Sequence, residues 1–139
     1  MKALLKKDDY DAILAHARAA LPNEACGLLG GKTLDGGGIV EISKVYLLKN
    51  ADESPFHFSM TPTEQFAAVK DMRANGFGLI GNFHSHPSTP ARPSEEDKRL
   101  AFDPNLLYFI LSLEKEEEVL KGFRIGNGAV EEVELKIES

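Results

Sequence analysis

The sequence predicts an α/β fold, a single-domain sandwich around a mixed β-sheet flanked by helices. Three observations carry that expectation. Apolar residues recur at helical spacing in separate stretches, each opened by a capping residue or a proline. Between and after them lie short runs rich in β-branched and aromatic residues. The chain closes on two such runs joined by Asn127-Gly128, a dipeptide suited to a tight hairpin. No repeat, linker or low-complexity segment interrupts the pattern. The 139 residues therefore read as one domain, 1–139, large enough to bury a core of its own.

The elements follow in order. Residues 8–21 read as an amphipathic helix, with Tyr10, Ile13, Leu14, Ala17 and Leu21 on one stripe. Asp8 or Asp9 caps its first turn and Pro22 ends it. His16 lies beside the stripe as a flank or surface residue. Residues 23–31 form a buried strand whose closing glycines, Gly30 and Gly31, lead into a turn. Gly36-Gly37-Gly38 marks a flexible hairpin tip before a strand from Ile39 to Leu48. Residues 50–55 are loop, and Phe56-His57-Phe58 alternates as an edge strand with a solvated histidine. Thr61 caps and Pro62 opens a second helix, with Phe66, Val69 and Met72 on one side, ending at Asn75-Gly76. A strand from Gly78 to Phe83 delivers His84. Ser94 opens a third helix through Leu100 and Phe102. Strands at 106–113, 119–125 and 130–137 complete the chain, the acidic residues 114–118 being a solvated turn.

Composition narrows the function. One cysteine, Cys26, excludes an internal disulfide and any multi-cysteine zinc cluster, and fits a reducing compartment. No segment reads as a signal peptide or a membrane span, so a cytoplasmic protein without a membrane partner is expected. A net charge of −6 with no basic stripe argues against nucleic acid.

The chemistry concentrates in residues 81–97. His84 and His86 are two apart on an extended backbone and project from one face, with Cα atoms about 6–7 Å apart. Pro87, Pro90 and Pro93 stiffen the loop that brings Asp97 back toward them. Two imidazoles and a carboxylate suit Zn²⁺ with one position left open. Other readings stand beside this one. A lone His-x-His is often only a pair of polar side chains, and Ser94-Glu95-Glu96-Asp97 is also simply a good helix start. Hydrolysis would further need a base, and the His-Glu-x-x-His arrangement that supplies one in other zinc proteases is absent.

The spacing His84-Ser85-His86-Pro87, seven residues from His86 to Ser94 counted at the intervening positions, two more, then Asp97 resembles the signature of the JAMM (MPN-plus) zinc metalloproteases, compact prokaryotic type. Glu24-Ala25-Cys26-Gly27-Leu28-Leu29-Gly30-Gly31 resembles that family's Glu-containing strand, and the likeness spans nearly the whole chain. The resemblance implies the cytidine-deaminase-like α/β fold, zinc held by His84, His86 and Asp97, and Glu24 as general base. It also implies that Ser94 donates to the oxyanion, a role competing with helix capping. Ser85 points to the opposite face and is structural. Cys26 could be a thiol nucleophile, but a small buried cysteine is the commoner case.

The implied substrate is a peptide or isopeptide bond at the C-terminal Gly-Gly tail of a ubiquitin-like protein. The short loops favour a sulfur-carrier protein, whose tail could add as a strand along residues 50–58. The alternative is a non-catalytic MPN scaffold or protein-binding module. A nucleotide deaminase would need a Pro-Cys-x-x-Cys segment that one cysteine cannot supply.

Overall fold

A computed structural model of the chain describes residues 1–139. Its strands are β1 (Lys2–Lys6), β2 (Cys26–Leu34), β3 (Ile39–Leu48), β4 (Gly78–His86), β5 (Leu107–Ser112), β6 (Val119–Gly126) and β7 (Ala129–Glu138). Its helices are α1 (Lys7–Ala20), α2 (Pro62–Ala74) and α3 (Glu95–Leu100). The sheet is mixed, as expected, with β1–β3, β1–β7 and β4–β5 parallel and the other pairs antiparallel. It closes on itself in the order β1-β3-β2-β4-β5-β6-β7 rather than ending in two open edges. The closing strand, β1, has no counterpart in the sequence reading. Its Ala3 and Leu5 face the core between exposed or half-buried neighbours, a period of two short enough to be missed.

The closed sheet curls around α1. Ile13 and Ala17 of that helix pack with Leu5, Leu29, Ile42, Phe83, Phe109 and Leu111 into the main core. Leu21 lies outside it, 47% exposed. Asp8 and Asp9 sit within the first turn and cap nothing; the N-cap position is Lys6, because β1 runs directly into the helix. Their charge still favours the helix N-terminus.

Helix α2 covers the outer face. Thr61 Oγ1 accepts from Glu64 N at 3.2 Å and Pro62 takes the first turn, as the sequence implies. The buried side is Ala68 and Met72 against Leu28 and Leu48, and Phe66 instead faces out at 70% exposure. Small residues on both sides of this weakly amphipathic helix hid its true face.

The Gly30-Gly31 pair is not a turn. β2 continues to Leu34 through a bulge there, and a Cβ on Gly31 would lie 1.9 Å from the Glu41 carbonyl oxygen. The turn comes at Asp35–Gly37, with φ of 62° at Gly36 and 101° at Gly37. Asn127 and Gly128, with φ of 52° and 75°, make the expected β6–β7 hairpin. The segment 56–58 is loop, not strand, and residues 50–58 form no strand in this structure. Helix α3 stops at Leu100, short of Phe102. No helix is long and apolar enough to cross a membrane.

Candidate metal centre

Strand β4 lies between β2 and β5, and its residues alternate between two environments. Phe83 enters the main core, while His84 and His86 share the opposite face. There they meet Asp97, delivered by the first turn of α3. His84 Nε2 and His86 Nε2 are 3.0 Å apart, and Asp97 Oδ2 lies 3.2 and 3.1 Å from them. A cation with bonds of about 2.0–2.1 Å in tetrahedral geometry separates its ligand atoms by about 3.3 Å, so the triangle has the right size.

Protonation favours the same use. His86 Nδ1–H donates to the Pro90 carbonyl at 2.8 Å, which leaves the Nε2 lone pair facing the other two atoms. Burial lowers the pKa of His84, keeping an imidazole that is 3% exposed neutral. Burial also opposes charge on His86 and Asp97. Burial is the largest single influence on each, yet the hydrogen bonds and charges together outweigh it: Asp97 and the Pro90 carbonyl raise His86, and His84, His86 and the Ser94 N–H hold the Asp97 carboxyl below the usual carboxylate range. The residues present fit a small cation that takes nitrogen and oxygen ligands.

Ser94 serves as the helix cap. Its Oγ accepts from Asp97 N at 3.0 Å, and its own N–H donates to Asp97 Oδ2 at 2.9 Å. This capping box orients the carboxylate oxygen that faces the histidines. Capping uses a lone pair of the hydroxyl, so the O–H proton stays free to donate elsewhere. The two roles are compatible.

Glu24 is 6% exposed and lies on the α1–β2 connection, just before the strand. Burial pushes its carboxyl up to about 8, with His86 opposing the rise and Asp97 adding to it. The backbone around it is held from three sides. Glu24 N donates to the Ser54 carbonyl at 2.8 Å, and Asn50 Nδ2 donates to the Glu24 carbonyl at 3.0 Å. Ser85 Oγ, between the two histidines on the reverse face, accepts from Ala25 N at 2.8 Å. Ser85 is thus structural, and what it fixes is the segment carrying Glu24.

Sequence reasoning passed over Asn50. Besides Glu24, its Nδ2 reaches the His57 carbonyl at 2.9 Å, and its Oδ1 accepts from Asp52 N and Ser59 N. The Asp52 contact is an Asx turn, a signal legible in Asn50-Ala51-Asp52. The loop it organises places Phe58 flat on His84, with centroids 4.6 Å apart, and His57 Nδ1 2.6 Å from Glu96 Oε1. His57 is therefore paired rather than merely solvated, and Glu96 raises its pKa. His16 is no ligand. Its Nε2 lies 3.1 and 2.9 Å from the Cys26 and Leu48 carbonyls, tying α1 to the starts of both strands' pairing.

Cys26 pairs with His84 across β2–β4 but is fully buried, and burial pushes its thiol up to about 12 from 9.0. A protonated, inaccessible thiol is no nucleophile. The native protein should resist iodoacetamide at pH 8 for hours and label at once when unfolded. Labelling of the native protein within minutes would refute this. The raised value also means that stability falls as pH climbs above the ordinary thiol range, where only the unfolded chain ionises freely.

The comparisons agree with this architecture. The family described as prokaryotic homologs of the JAB domain matches residues 6–125, and the chain belongs to it. A CysO-cysteine peptidase of Mycobacterium tuberculosis is 30% identical over 135 residues, covering 96% of this chain and 90% of that protein. A solution structure of a Desulfitobacterium hafniense protein is 56% identical with a TM-score of 0.89, covering 100% of this chain and 94% of that one. A JAB1/MPN domain protein of Archaeoglobus fulgidus, 27% identical, superposes with a TM-score of 0.60 over all of both chains. The α/β class is that of the JAMM/MPN proteins, with the sheet closed.

Proposed function

We propose that the chain is a zinc-dependent metallopeptidase that hydrolyses a peptide or isopeptide bond at the C-terminal Gly-Gly tail of a ubiquitin-like or sulfur-carrier protein. The observation that carries the reading is the convergence of His84 Nε2, His86 Nε2 and Asp97 Oδ2 within 3.2 Å beside a buried carboxyl, Glu24. Those three atoms would hold the zinc. When bound, the metal supplies Lewis acidity and brings a water's pKa near ~7. Glu24 takes a proton from the attacking water and returns it to the leaving amine. The free O–H of Ser94 donates to the developing oxyanion. The CysO-cysteine peptidase relative supports a protease that acts on a protein's conjugate with an amino acid.

Mass spectrometry of sulfur-carrier conjugates, before and after incubation with the purified protein, tests this. Loss of the adduct is expected, abolished by EDTA and restored by zinc. Purified protein that binds no zinc at micromolar metal would instead be a non-catalytic scaffold. Zinc-loaded protein that leaves every Gly-Gly-linked conjugate intact would refute the substrate class.

A further inference from the structure

Behind His84, on the side away from Asp97 Oδ2, the ligand's second ring nitrogen raises a separate question. His86 anchors its Nδ1 directly on a backbone carbonyl. His84 Nδ1 is buried and has no hydrogen-bond partner in the protein. The other such side-chain atom is Asn82 Oδ1, two residues earlier on the same strand and therefore on the same face. Both residues line one cavity of about 40 Å³, walled also by Phe58, Asp97, Leu100, Tyr108, Ile110 and Ile125. The Tyr108 hydroxyl is already used, donating to the Asp103 carbonyl and accepting from Asp103 N.

We infer that this cavity is a binding site for one structural water, which accepts from His84 Nδ1–H and donates to Asn82 Oδ1, making Asn82 a positioning residue for the metal ligand. The inference rests on the zinc reading, since Nε2 can offer its lone pair to a metal only if Nδ1 carries the proton. A protonated Nδ1 is a donor that needs an acceptor, and Asn82 Oδ1 is an acceptor that needs a donor. Turning the Asn82 amide would set a second donor against the first, so the oxygen is the atom that faces the cavity. A water fits in a space above about 10–15 Å³ when polar partners hold it, and two are present here. Leaving both atoms bare would cost stability for each. Ligating histidines regularly anchor the second nitrogen on a carboxylate, a carbonyl or a water, and loss of that anchor weakens metal binding about 10–100-fold.

The test uses the full chain and reads metal binding rather than turnover. Asn82→Leu should weaken zinc by about 10–100-fold in chelator competition and shift the visible spectrum of the cobalt-substituted protein. The thermal midpoint of the metal-free variant should stay close to wild type's, because without metal the His84 imidazole can carry its proton on Nε2 toward Asp97 Oδ2 and no longer needs the acceptor; a merely structural role would lower it with or without metal. Asn82→Asp keeps an acceptor and should bind zinc as wild type does. In a zinc-bound crystal structure of the wild type, a water should lie within about 3.2 Å of both atoms. Wild-type zinc affinity in Asn82→Leu, or His84 Nδ1 without that water in the crystal, would overturn the inference. If Asn82→Leu does not fold, Asn82→Asp and the crystal structure still decide. A wild-type protein that binds no zinc would overturn the metal centre itself, and this inference with it.

Discussion

Glu24→Gln is expected to keep stoichiometric zinc and lose about 10²–10⁴-fold in hydrolysis rate. The amide has the shape of the acid but cannot take the proton. It should also keep its place, because the position is set by backbone bonds to Ser54, Asn50 and the Ala25–Ser85 pair rather than by the carboxyl. Stability gives an independent check. The folded carboxyl is pushed from 4.5 up to about 8, so the metal-free wild type loses stability as pH rises through that interval, where the unfolded chain ionises first. The glutamine variant escapes that loss. Its metal-free thermal midpoint should exceed the wild type's at pH 8 and match it at pH 4. A variant as active as wild type would remove Glu24 as the base.

Gly81→Ala should cost about 3 kcal/mol or more in denaturant unfolding. A Cβ there would sit 1.9 Å from the Leu107 carbonyl oxygen and 2.8 Å from its carbon. Neither atom can yield, since Leu107 belongs to β5, whose six residues are all buried. Gly81 pairs with Leu107 on one side and Leu29 on the other, so relief must part β4 from a neighbour. His84 and His86 lie three and five positions further along that strand, and metal affinity should fall with stability. Gly78→Ala is the control. It has open space around the added carbon and should stay within about 0.5 kcal/mol of wild type. An unchanged unfolding midpoint for Gly81→Ala would show that β4 and β5 are not locked at this point.

What the sequence made legible follows the range of the physics involved. His84, His86 and Asp97 were visible because ligand chemistry and strand period act over a few residues, and the structure brings all three together. The Thr61 cap and the Asn127-Gly128 hairpin are equally local. Phe66 was misplaced because burial on α2 is decided by which face meets Leu28 and Leu48, not by the helix itself. β1 escaped because its partners, β3 and β7, are distant in sequence and its own alternation is brief. Residues 56–58 alternate like a strand, yet Asn50 takes the His57 carbonyl and Ser54 Oγ takes the Phe56 N–H that a strand would offer. Glu24 could be chosen among 22 acidic residues only by resemblance, since nothing in its local pattern announces burial.

The contact between Ser85 Oγ and Ala25 N has a mechanical consequence. Three consecutive residues, His84, Ser85 and His86, carry both imidazoles on one face and the anchor of the Glu24 segment on the other. The spacing between the Glu24 segment and the two imidazoles is therefore gauged where β2 pairs with β4. A slip of β2 against β4 by one residue would turn the hydroxyl away from the amide and displace Glu24 by about 3.3 Å. Changes of length in the Asp35–Gly38 tip or the β6–β7 hairpin leave that gauge untouched.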